Sequence, residues 1–281
     1  MDRFAPIFLS HGSPMTALHG GAAAAFWREL GQVLVARNAR PTAIVVVSAH
    51  TLARGVATLA APQHAAVHDF GGFPPALYEL HYDAPGAPAL AARVEALLAD
   101  ADIDVHHLDA GGLDHGIWVP LRSIRPEADI PVLPLAFPPD WTPTALFALG
   151  TALRPLVDEG VLVVGTGSIT HNLRLGLPPV GATVAERPEC AAFRGWFAER
   201  AAARDWTALW DWRAQAPHAA LMHPTDEHLL PWFVAAGAGG RCHFGVRIHA
   251  SVEGGHLGMD AYAFGPEARA LADELTALAA T

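Results

Sequence analysis

Ala43-Ile44-Val45-Val46-Val47-Ser48-Ala49-His50 is an apolar, β-branched run that stops at a histidine. Apolar at every position rather than at every second one, it reads as a strand buried on both faces. Working outward, residues 4–10 and 161–165 have the same character, and the chain beyond each also meets a histidine: His11 directly, His171 after a short Gly/Ser/Thr segment. Between such runs lie Ala/Leu-rich segments of helical period. Residues 22–37 place Phe26, Leu30, Val33 and Leu34 on one side, and helices are also predicted over 88–99, 144–157, 190–203, 226–236 and 267–279. Further strands are predicted at 56–60, 103–107, 130–136, 247–251 and 261–264. This alternation predicts an α/β fold, with a mostly parallel central sheet flanked by helices in a single domain spanning residues 1–281. Two long Gly/Pro-containing stretches, 62–87 and 175–189, are expected to form loops over a site.

Composition narrows the chemistry. Hydrophobic residues make up 52% of the 281 positions and charged residues 16%, which supports a large core and opposes disorder. A net charge of −10 argues against a nucleic-acid partner, since phosphate binding needs clustered cations. All 18 basic residues are Arg, so Lys Schiff-base chemistry, pyridoxal attachment and a P-loop Lys are excluded. Two cysteines, Cys190 and Cys242, are too few for a disulfide framework or a Cys-rich zinc site. Met1-Asp2-Arg3-Phe4 does not open a signal peptide, and no apolar run approaches the ~20 residues of a membrane helix, so a cytoplasmic location away from membranes is expected.

The unusual residue is histidine, at 16 positions. His11, His50 and His171 share one setting, just past an apolar strand, and ligands of open α/β sheets bind beyond the carboxyl ends of the strands. Three imidazoles delivered there from separate strands can converge on one point. His228 lies in Pro224-Thr225-Asp226-Glu227-His228, where Thr225 reads as a helix N-cap. His223 and His228 are five apart, which is not one helical face, so they do not ligate as a pair. His115 occupies a turn, Gly111-Gly112-Leu113-Asp114-His115-Gly116, ahead of a helix; Asp114 either orients it or caps the turn. His68 and His81 flank the first long loop and are candidates to line a pocket, while His106 and His107 alternate faces of a strand. Gly165-Thr166-Gly167-Ser168 resembles a phosphate loop only superficially, and no G-x-S-x-G, Walker A or H-E-x-x-H is present.

Six segments in order add a resemblance: Leu9-Ser10-His11-Gly12-Ser13-Pro14-Met15, Val47-Ser48-Ala49-His50, His68-Asp69-Phe70-Gly71-Gly72-Phe73-Pro74, Gly112-Leu113-Asp114-His115-Gly116, Ile169-Thr170-His171-Asn172-Leu173-Arg174 and Pro224-Thr225-Asp226-Glu227-His228. Together they resemble the DODA-type branch of the class III, LigB-like extradiol ring-cleavage dioxygenases. The resemblance implies a LigB-like fold, a non-haem Fe(II) for turnover with Zn(II) often found in its place, and a small aromatic diol and O2 as substrates. It implies His11, His50 and His228 as metal ligands, His171 as catalytic acid/base and His115 as a nearby acid. Departures fall at Thr51, where an aromatic is frequent, at His223, where Asn is common, and in the tail 267–281. Glu227 keeps a carboxylate third ligand open. A zinc hydrolase using the same histidines and a non-catalytic metal-binding member are the alternatives. Arg54 and Arg174 are candidates for a substrate carboxylate.

Replacing His106 or His218 with Ala should leave metal content unchanged, whereas His11→Ala, His50→Ala and His228→Ala should lower it sharply, as read by metal analysis of the purified variants. A zinc-loaded sample should consume no O2 with catechols, because zinc does not change oxidation state.

Overall fold

The apolar runs become the centre of one sheet. The computed structural model describes residues 3–37, 40–176 and 184–279. Strands β1 (Ile7–Ser10), β2 (Ala43–Ser48), β3 (Val56–Leu59), β4 (Val105–Leu108), β5 (Val132–Ala136), β6 (Val161–Gly167), β7 (Val246–His249) and β8 (Ala261–Ala263) form an eight-stranded sheet in the order β4-β3-β5-β2-β6-β1-β8-β7. The four central strands β5, β2, β6 and β1 are parallel throughout, and β4 runs parallel to β3. Antiparallel joints occur where β3 meets β5 and where β8 pairs with β1 and β7. Ser10 pairs with Gly167 and Ser48 with Thr166, so β1, β6 and β2 end level with one another. Whatever follows those strands emerges side by side.

Helices cover both faces, which is why the central strands need no polar side. On one face α1 (Ala22–Ala36), α2 (His115–Ile124) and a C-terminal helix share a core with Ile7, Leu9, Ile44, Val46, Leu162 and Val164. Phe8, Val45, Val47, Leu133 and Leu135 point the other way, into a core with α3 (Pro143–Leu153) and α4 (Pro231–Gly239). Every residue of α4 is buried, consistent with its being apolar all round. Completely buried side chains such as Phe233 and Trp118 each contribute about 1.5–3 kcal/mol or more of hydrophobic stabilisation.

Prolines account for the main boundary differences. The strand expected from residue 4 begins at Ile7, after Pro6, which has no N–H for a ladder. The helix expected over 144–157 breaks after Leu153, and Pro155–Asp158 forms a separate turn. The helix expected over 226–236 starts at Pro231, in the first-turn position that proline favours. Thr225 does not cap it; its hydroxyl donates to the Glu227 carboxylate. His228 therefore lies on the turn ahead of α4 rather than at a helix start. His115, expected in a turn, is the first residue of α2, with Asp114 as its N-cap residue. His106 and His107 are both exposed, because β4 is an edge strand. The middle of the expected loop 175–189, residues 177–183, lies outside the described residues. Among those described, no helix is long and apolar enough to cross a membrane.

The Gly-Thr-Gly of β6 has a steric purpose. A Cβ on Gly165 would lie 2.2 Å from the Pro231 carbonyl oxygen, and one on Gly167 would lie 2.0 Å from that of His228. The missing side chains let the His228 turn settle on the strand, where the Ser168 N–H donates to the His228 carbonyl at 2.8 Å. Gly167→Ala should destabilise the protein by about 1–3 kcal/mol, the range for overpacking, and should weaken metal retention together with the displaced His228. Denaturant melts combined with metal analysis check both.

Candidate active site

Because β1, β2 and β6 end level, His11, His50 and His171 emerge beside one another. α2 brings His115 from one face of the sheet, and the turn before α4 brings His228 from the other. Ring centroids are 4.9 Å apart for His11 and His50, 4.1 Å for His50 and His115, 5.2 Å for His11 and His115, and 5.6 Å for His11 and His228. His50 and His228 are 4.9 Å apart, and His171 stacks on His228 at 3.4 Å with an 8° angle. The five histidines singled out in the sequence thus meet in one place. Within it, His11, His50 and His115 bring one ring nitrogen each within 4.8 Å of one another, and His171, His228 and the Glu227 carboxylate form a second such set.

Groups behind the rings fix their tautomers. The Thr166 hydroxyl donates to the Gly116 carbonyl at 2.7 Å, so toward His11 Nδ1, 3.0 Å away, it acts as acceptor. His11 then carries its proton on Nδ1 and a lone pair on Nε2, which lies 3.1 Å from His50 Nε2. His228 Nδ1–H donates to Glu227 at 2.9 Å, leaving Nε2 buried with no hydrogen-bond partner. His115 Nδ1–H donates to Asp69 at 2.9 Å. This corrects the role offered to Asp114: its carboxylate accepts instead from Ser48 at 2.8 Å and Thr51 at 2.5 Å. Thr51, one of the departures from the resemblance, serves that network through its hydroxyl.

Four of the rings, His11, His50, His171 and His228, are held neutral. Burial, reinforced by the neighbouring imidazoles, pushes His11 well below its usual pKa, His50 to about 3 and His171 to about 2. His171 therefore does not titrate near neutrality. Burial is the largest single influence on Glu227 and opposes its ionisation, but the hydrogen bond and electrostatic attraction of His228, with the Glu227 backbone N–H and the Thr225 hydroxyl, together outweigh it and hold the carboxyl at about 2. Burial raises Asp114 despite its hydroxyl partners. Neutral imidazoles with inward lone pairs, an orphaned Nε2 on His228 and an ionised carboxylate are a donor set suited to a divalent transition metal.

The remaining candidates separate from the cluster. His223 is buried and donates from Nε2 to the Ile169 carbonyl at 2.8 Å, tying down the segment that carries His171. His68 joins an aromatic group with Phe70, Tyr78 and Trp118, and Phe70 meets His115 edge-on at 5.8 Å. His81, Arg54 and Arg174 are exposed. Asp69 and Thr166 were missed as site residues. Thr166 was legible in principle, since strand alternation puts it on the face of Leu162 and Val164; Asp69 lies in the quoted segment 68–74, but nothing in that segment ties it to His115, 46 residues later.

The family described as the catalytic LigB subunit of aromatic ring-opening dioxygenase matches residues 5–265. The chain is 38% identical over 258 residues to a protein of Beta vulgaris named 4,5-DOPA dioxygenase extradiol, covering 92% of this chain and 95% of that one. It is 44% identical over 172 residues to the Escherichia coli K12 protein of the same name, covering 61% and 62% of the two chains. The crystal structure of an uncharacterized Escherichia coli K12 protein superposes with a TM-score of 0.77 at 32% identity, covering 94% of this chain and all of that one.

Thr166→Val should strip His11 Nδ1–H of its acceptor and weaken metal affinity about 10–100-fold, the usual effect of losing such a support. Thr166→Ser should restore it. Competition with a chromogenic chelator measures both.

Proposed function

The chain belongs to the family of catalytic LigB subunits of aromatic ring-opening dioxygenases, and from that premise we propose that it is an Fe(II)-dependent extradiol dioxygenase acting on a catechol-type substrate. The observation that carries the proposal is the meeting of five imidazoles from five separate segments, three of them with Nδ1–H committed to a fixed acceptor. The aromatic group around Phe70, Phe73 and Tyr78, beside His115, supports a flat aromatic ligand.

In this reading His11, His50 and His228 hold the metal. His228 is preferred to His115 as the third ligand because its Nε2 is buried and unpartnered, an arrangement that is costly unless a cation meets the lone pair. Bound there, Fe(II) supplies a meeting point for the diol and O2 and makes the hydroxyls more acidic. His171 accepts a hydroxyl proton as the substrate docks and returns it to an oxygen atom as the ring opens. Its depressed pKa makes it a neutral acceptor at pH 7, and the negative charge of the diolate then favours its protonated form. His115 donates a hydrogen bond to the oxygen being inserted. Both atoms of O2 enter the product, a ring-opened muconic semialdehyde type of compound.

Two outcomes test these roles. His171→Gln should keep its iron while turnover falls roughly 10²–10⁴-fold, the range for losing a positioned acid/base; loss of iron would make it a ligand instead. His228→Ala should lose iron and His115→Ala should keep it. The reverse result would give the third ligand to His115, and ester or amide hydrolysis without O2 would replace the dioxygenase reading with a hydrolase.

A further inference from the structure

Asp69 makes three contacts on one partner. Its Oδ1 accepts the His115 backbone N–H at 3.0 Å and lies 2.9 Å from His115 Nδ1, while Oδ2 lies 3.0 Å from the same Nδ1. The same carboxylate stands 3.9 Å from His50 Nδ1. We propose that Asp69 is the positioning residue for His115, holding its ring in one orientation and as the Nδ1–H tautomer, so that Nε2 is the nitrogen left for chemistry. This rests on the reading of His115 as a hydrogen-bonding group toward substrate oxygen.

Three features make this a held arrangement rather than a chance contact. First, the approach of Asp69 is fixed by the backbone around it. Val67 N–H donates to the Leu113 carbonyl at 2.7 Å, Leu113 N–H to the Ala65 carbonyl at 2.9 Å, and Trp118 Nε1–H to the Val67 carbonyl at 3.1 Å. The strip carrying Asp69 is therefore laced to the residues on either side of His115. Second, the neighbour that could compete cannot. Asp114 precedes His115 and makes no side-chain cap, because Ser48 and Thr51 occupy its carboxylate. Asp69 both orients the ring and serves the N-terminus of α2, where a carboxylate is favoured. Third, Phe70 meets the His115 ring edge-on, at 82°, so the residue following the carboxylate limits the tilt of the ring. A carboxylate on one imidazole nitrogen fixes which nitrogen keeps the lone pair.

The test uses the full chain, without metal for one readout and iron-loaded for the other. Nitrogen-15 NMR of the metal-free protein, with the His115 signal identified by its loss in His115→Gln, should show the Nδ1–H tautomer. In Asp69→Ala it should show both tautomers, and after iron loading kcat should fall about 10–100-fold with KM and iron content unchanged. Asp69→Asn should keep the Nδ1–H tautomer and most of the turnover, because its Oδ1, already set by the His115 backbone N–H, still accepts from the ring. The proposal is overturned if Asp69→Ala keeps a pure Nδ1–H tautomer, or if Asp69→Asn loses as much turnover as Asp69→Ala. If Asp69→Ala does not fold, a switch of His115 to the Nε2–H form in Asp69→Asn overturns it. If no catechol is turned over by the unaltered protein, the functional reading fails, and the tautomer measurement still decides the role of Asp69.

Discussion

Imidazoles crowded into a space poor in water cannot all carry charge, and the rest of the site follows from that constraint. Desolvation and mutual repulsion keep His11, His50 and His171 neutral. A neutral ring has one nitrogen that donates and one that accepts, so each must be told which way to face. The structure supplies the instruction from behind: Thr166 for His11, Glu227 for His228 and Asp69 for His115. Reversing a ring would trade a made hydrogen bond for an unsatisfied buried group, which typically costs about 1–3 kcal/mol. The inward lone pairs are thus held in place by the fold before any ligand arrives.

The same demand reaches into the sheet. Bringing the His228 turn against β6 requires glycine at 165 and 167, so the strand sacrifices side-chain packing where the site needs closeness. His171 is held by longer-range ties. Its N–H donates to the Met222 carbonyl at 2.8 Å, and the Thr170 hydroxyl donates to the His256 carbonyl at 2.7 Å while accepting from Gly258 N–H at 2.6 Å. Below them, buried Arg194 makes a two-pronged ion pair with Asp260 at 2.6 and 3.0 Å, and the Asp260 carbonyl accepts from Ser10. The antiparallel strand β8 thereby braces the ends of the parallel strands that carry the histidines.

Sequence alone determined the α/β class, the buried central strands and the five histidines. Burial on both faces leaves a continuous β-branched run in one dimension, and strand ends are local features. Two local readings failed for local reasons as well: Pro155 broke the helix expected over 144–157, and Pro231 moved a helix start so that His228 lies on a turn. What only the tertiary structure decided is which group stands behind each ring. Asp114 is adjacent to His115 and yet turns to Ser48 and Thr51, while Asp69 arrives from 46 residues away because the 65–67 strip pairs with the segment before α2. The antiparallel joints of β3 and β8 were likewise invisible. Hydrogen-bond partners and strand direction depend on where distant segments are carried in space, and neither residue type nor periodicity encodes that path.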